Sequence, residues 1–134
     1  MRTRYSLPLI LILSLTSCMS PEKLVERGNY EAAIEVASRR LAGKKNKKTK
    51  YVLALEEAFT KANQRDLSSA DRLKRQGRPE NWVRIHEYFL SIRRRQEALA
   101  PLLPLVSKEG IQASFRFVKV DELEMESREK AAEF

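Results

Sequence analysis

The chain has 134 residues, 43% of them apolar and 33% charged, which suits one domain with a modest core and excludes two large domains or wholesale disorder. Lys and Arg total 26 against 18 Asp and Glu, a formal charge of +8. The single cysteine, Cys18, excludes an internal disulfide and a zinc site built from several thiolates.

Residues 1–5 carry Arg2 and Arg4 and no acid, residues 7–15 are apolar apart from Ser14, and Leu15-Thr16-Ser17-Cys18 follows. The apolar run is far shorter than the ~20 residues a membrane-crossing helix needs, so residues 1–17 read as a signal peptide. Leu15-Thr16-Ser17-Cys18 resembles the lipobox of bacterial lipoproteins, in which a leucine and two small residues precede the cysteine that becomes the first residue after cleavage. The resemblance implies that the Cys18 thiol receives a diacylglyceryl group and that its freed amine is acylated. No other cofactor is expected. Two or three long acyl chains hold a protein to a bilayer far more firmly than one, at ~0.8 kcal/mol per buried methylene. The first partner implied is therefore the bacterial membrane. Met19 stands where an inner-membrane lipoprotein of the enteric type carries aspartate, and no acidic run follows it. The implied address is the outer membrane, facing the periplasm.

Residues 18–134 read as one helical domain. Gly28 and Asn29 separate two apolar-periodic segments, a helix stop followed by a helix start. Ile34, Ala37 and Leu41 fall at helical spacing before Gly43. A longer helix is expected from about Asn46 to Gln76, with a bend near residues 66–69 and Gly77 after it. Pro79 suits the first turn of the next helix, where its missing N–H has no partner to lose. Trp82, Ile85, Phe89, Ile92 and Leu99 make one buried stripe, with Arg84, Arg93, Arg94 and Arg95 mostly elsewhere, until Pro101 and Pro104 forbid continuation. Residues 111–117 alternate apolar and polar as a half-buried strand does, and a turn at Lys108-Glu109-Gly110 would bring residues 102–106 back against them. This predicts a small β-hairpin near residues 102–118. A Glu-rich helix is expected from Val120 to Phe134; it lacks a capping glycine, which leaves open a chain that continues past Phe134.

Gly28-x-Tyr30-x-x-Ala33 resembles the turn of a tetratricopeptide repeat, in which a glycine ends the first helix, an aromatic opens the second and a small alanine lets the two approach. Leu24-x-x-x-Gly28 recurs as Leu73-x-x-x-Gly77, 49 residues on where such repeats have 34. Residues 51–59, 77–82 and 101–105 also resemble a group of tetratricopeptide-like lipoproteins of diderm bacteria. The fold class expected is mainly α, built of antiparallel helix pairs. The resemblance implies a fold and a location but no activity.

Catalytic chemistry finds little support. His86 is the only histidine, and the His86-Glu87 pair would need a second histidine at position 90, where Leu90 stands. Residues 43–49 have the composition of a phosphate loop without its second glycine or its preceding strand. Glu56 and Glu57 are adjacent on a helix and point apart. No catalytic residue and no metal site is expected, and the chain reads as a non-enzyme. Residues 39–50 are the most anomalous segment: Arg39, Arg40, Lys44, Lys45, Lys47, Lys48 and Lys50 give seven basic residues in twelve positions with no acid. Beside a membrane each such charge is worth roughly 1 kcal/mol against an anionic surface, whereas an export signal disfavours nucleic acid as the partner. Two expectations follow. The first is a helical scaffold that binds another envelope protein or a peptide; the alternative is a basic protein that binds anionic lipid or polymer through residues 39–50.

Overall fold

A computed structural model describes residues 19–134, so the expected signal peptide and Cys18 lie outside the described residues. The described chain is mainly α-helical, with α1 at Pro21–Glu26, α2 at Tyr30–Leu41, α3 at Thr49–Arg75, α4 at Asn81–Leu99 and α5 at Asp121–Ala131. A single 3-10 turn, Ala100–Leu102, follows α4.

Local chemistry explains each reversal. The Gly28 N–H donates to Val25 O and the Asn29 N–H to Leu24 O, both at 2.9 Å, while Gly28 takes φ +75°, a backbone that glycine adopts without penalty. Asn29 then caps α2, its Oδ1 accepting the Ala32 N–H at 3.4 Å. Three residues thus end one helix and begin the next. Gly77, at φ +65°, ends α3 with its N–H on Lys74 O at 3.0 Å, and the Asn81 side-chain amide, in place of a backbone N–H, donates to Leu73 O at 3.1 Å. Pro79 lies in the turn that leads into α4, two residues ahead of the helix.

Successive helices run antiparallel. Tyr30 meets Arg65 and Arg40 meets Tyr51 across α2 and α3, Asp66 meets Arg95 across α3 and α4, and His86 meets Ser127 across α4 and α5. α1 therefore runs parallel to α3, and Glu22 and Lys50 line one cavity at the end of the molecule where α3 starts. Met19 packs against the core beside α1.

The interior is two apolar clusters. One joins α1, α2, the first half of α3 and Leu99, with Leu41, Val52, Leu55 and Phe59 at its centre. Ala33, Ala37, Ala58 and Ala62 are fully buried there and let α2 and α3 approach closely. The other joins Ala70, Ile85, Phe89, Ile92 and Val120. Between them lies a polar seam of Asn63, Asp66, Arg95 and Gln96, all buried. At 27 residues, or about 40 Å, α3 spans both clusters and is unbroken through residues 66–69, where the sequence suggests a bend.

Several expectations need correction. No strand forms among the described residues: the hairpin near residues 102–118 reduces to one bridge between Val106 and Gln112, closed by a turn at residues 107–110. The alternation at residues 111–117 is met only in part and by a helix: Ala113 is buried and Phe115 half-buried, its ring 5.4 Å from that of Phe59 on α3, while Phe117, 5.7 Å from the same ring, and Ile111 stay exposed. Trp82 is half-buried, not a core member, with Lys74 and Lys130 over its ring at 5.5 and 4.2 Å. Arg95, expected off the stripe, is buried within it. α5 ends at Ala131.

Candidate functional site: the basic end

The α2–α3 connection and the first turn of α3 gather the basic run at one end of the molecule. Lys44, Lys45, Lys48 and Lys50 are exposed, and Arg40 and Lys47 are half-buried. Among the described residues the run makes one ion pair, Arg39 to Glu35 at 3.9 Å between two exposed side chains. Such a pair contributes little. The other nearby acids are engaged elsewhere: Glu31 takes the Arg95 guanidinium, Glu56 accepts the Ser114 N–H at 2.6 Å, and Glu57 pairs with Lys61 at 2.8 Å. Glu56 and Glu57 thus diverge, as their adjacency predicts.

Tyr51 organises the cations. Arg40 Nη1 donates to the Tyr51 hydroxyl at 3.2 Å and its guanidinium sits 5.2 Å from the ring centre, with Lys48 and Lys50 at 5.7 and 5.1 Å. A cavity of about 450 Å³ opens beside the ring, lined by Arg39, Arg40, Lys44, Asn46, Lys48 and Tyr51. Four of its six lining residues are cationic and none is acidic. The helix that begins there is itself electrostatically mismatched. Lys48 occupies the cap position of α3 without a capping side-chain bond, and no acid stands in the first turn. A helix N-terminus carries partial positive charge, so lysines at positions 47, 48 and 50 raise a potential that an anion would relieve. The Thr49 hydroxyl, one residue inside, is buried without a hydrogen-bond partner.

Two further segments converge on this end. The tip of the 107–110 turn is tied to the loop by the Lys108 N–H, which donates to Lys47 O at 2.8 Å. Val106 and Ile111, on either arm of that turn, are large apolar residues left exposed. The described chain also begins near this end, since Glu22 shares a cavity with Lys50.

The other sequence-marked residues take structural roles. Gly28 and Ala33 build the α1–α2 turn, and Tyr30 lies under the Arg65 guanidinium at 5.2 Å. His86 Nδ1 lies 3.0 Å from Ser127 Oγ, but Ser127 is fully buried and its hydroxyl donates to Glu124 O at 3.0 Å. The pair docks α5 on α4. Beside it, burial pushes the Glu124 carboxyl up, but bonds from Arg93 and Arg128 outweigh this and hold it below the usual carboxylate range. The bonds from Glu57 raise the Lys61 ammonium, and those from Asp121 and Glu124 raise the Arg93 guanidinium.

A second concavity, about 910 Å³, runs between α2 and α4, lined by Glu31, Glu35, Arg65, Arg94 and Arg95 among others. Its charges are of both signs, acids from α2 facing arginines from α3 and α4, and Arg95 is already paired with Glu31. Among the described residues no three His, Cys, Asp or Glu side chains gather as metal ligands would, and no helix is long and apolar enough to cross a membrane. Comparison with protein-family models, curated proteins and solved structures finds no match to this chain.

Proposed function

We propose that this chain is a lipid-anchored helical module of the bacterial envelope whose basic end engages an anionic surface, lipid or polymer. The observation that carries the reading is the cluster of cations around Tyr51, with five lysines that make no ion pair among the described residues. The start of the described chain supports it. A lipid on Cys18, one residue before Met19, would bring this end of the body against the bilayer. The lipobox resemblance carries the anchor and its outer-membrane, periplasm-facing address.

Two measurements test the reading. Cys18→Ser is expected to abolish fatty-acid labelling and leave the precursor uncleaved; a labelled, membrane-bound serine variant overturns the anchor. Replacing Lys44, Lys45, Lys47 and Lys48 with glutamine is expected to cut low-salt binding of residues 19–134 to anionic vesicles by at least about tenfold, since each charge contributes about 1 kcal/mol there. Thermal stability should hardly change, because Lys44, Lys45 and Lys48 are exposed and none of the four makes an ion pair among the described residues. Unchanged binding would reduce the loop to a solubilising turn.

The second reading, a scaffold that receives a protein segment, is favoured by the α2–α4 concavity and by the tetratricopeptide-like α1–α2 turn. The lining of that concavity is mixed in charge, so a groove binder would ignore anionic vesicles and still capture a peptide. That contrast separates the two.

A further inference from the structure

Resting on the basic end as an anion-binding surface, we propose that the cavity beside Tyr51 is a discrete subsite for a phosphomonoester group, with Arg40 and Lys48 as its charged ligands. A diffuse basic patch needs no shape, but this one has a wall, a fixed donor and a volume. Arg40 is held by its Nη1 bond to the Tyr51 hydroxyl, and its Nε and Nη2 make no bond among the described residues. A guanidinium presents its donors in a rigid fork that fits phosphate oxygens, so a guanidinium already oriented loses little freedom on binding. Lys48 closes on the same ring from the next helix, 5.7 Å from its centre. With four cations and no carboxylate in the lining, a group carrying close to two negative charges is favoured over a singly charged phosphodiester. A volume of about 450 Å³ exceeds the need of bare phosphate and lies in the ordinary range of small-molecule sites, so the phosphate arrives on a small polar body such as glycerol or a sugar. That chemistry is shared by a lipid headgroup and by a soluble phosphosugar.

The test uses the full chain in phosphatidylcholine nanodiscs, with arginine side chains labelled for NMR. Titration with sn-glycerol 3-phosphate and with its methyl diester compares monoester and diester on one glycerol body; nanodiscs doped with phosphatidate or with phosphatidylglycerol at equal charge repeat the comparison in the membrane. The expected result is a monoester preference of about tenfold, with the Arg40 Nε signal shifting first. Arg40→Lys, which keeps the charge and removes the fork, and Tyr51→Phe, which keeps the ring and frees the guanidinium, should each abolish that preference. Lys45→Gln, outside the cavity, should keep it. Equal affinity for monoester and diester overturns the subsite and leaves the surface reading standing, as does a preference that survives both variants. A preference for sn-glycerol 3-phosphate without any affinity for anionic nanodiscs supports the subsite, assigns it to soluble ligands and overturns the surface reading.

Discussion

A guanidinium can leave water only where nearly every N–H finds an acceptor, and Arg95 meets that demand. Its Nη1 donates to Asn63 Oδ1 at 2.5 Å, its Nη2 to Asp66 Oδ2 at 2.7 Å and to Glu31, and its Nε to Glu31 Oε1 at 3.2 Å. Gln96 completes the layer by accepting from Val118 N at 2.7 Å and donating to Val118 O at 3.0 Å. Removing one partner strands a buried charge, so Asp66→Ala is expected to cost about 3 kcal/mol in urea unfolding. Replacing both ions with apolar residues of similar volume, Asp66→Leu with Arg95→Met, should cost far less. A double variant as unstable as the sum of its parts would mean that the pair acts through packing instead of charge. This seam leaves a trace in the sequence. The α4 stripe passes from Ile92 to Leu99 with Arg95 and Gln96 between, and the α3 stripe from Ala62 to Ala70 with Asn63 and Asp66 between. Each gap alone reads as a surface residue drifting inward; only the antiparallel register of α3 and α4 brings the two together.

At the scale of elements, α5 depends on charge more than any other helix. Only Glu124 and Ser127 of its residues are buried, and Glu124 is held by Arg93 and by Arg128 at 2.9 Å, while Asp121 takes Arg93 at 2.6 Å. Because the folded carboxyl is held below its ordinary range, its contribution is complete above that range, starts to fall within it and is lost as the pH drops through the lowered folded value. Acidification below about pH 4 should therefore loosen α5 before the rest of the chain. Trp82 emission reports the event, since Lys130 of α5 covers the ring. Glu124→Gln should remove the acid step, and an acid step of undiminished size in that variant would shift the cause to other groups. The helices themselves were legible because glycine and apolar spacing act locally: Gly28 and Gly77 end their helices whatever lies beyond. The hairpin was not, because alternation records one buried face without naming the neighbour that buries it. Two short arms make a marginal sheet, and Phe59 offered Phe115 a better surface. The exposure of the basic run was also readable, from seven like charges with few acids at hand. The cavity among them was not, because it exists only where the end of α2 and the start of α3 place Arg40 beside Tyr51.

At the scale of the whole molecule, the polar seam divides the interior into two bodies joined by α3, α4 and the segment of residues 105–120, which crosses the seam at Val118. Each half buries its own apolar residues, and the half with α5 has the smaller cluster. Cooperativity in a domain this size comes from one continuous core, and here the continuity is electrostatic. Native-state hydrogen exchange is expected to resolve two opening units, with α5 and the adjoining halves of α3 and α4 released at lower free energy than α1, α2 and the start of α3. A single global opening for all protected amides would show that α3 alone transmits the transition. The division falls so that the body beside the basic end is the more durable one. A load applied at the far end would then be absorbed by yielding at the seam, leaving the basic end folded, as a mechanical fuse protects the fitting behind it.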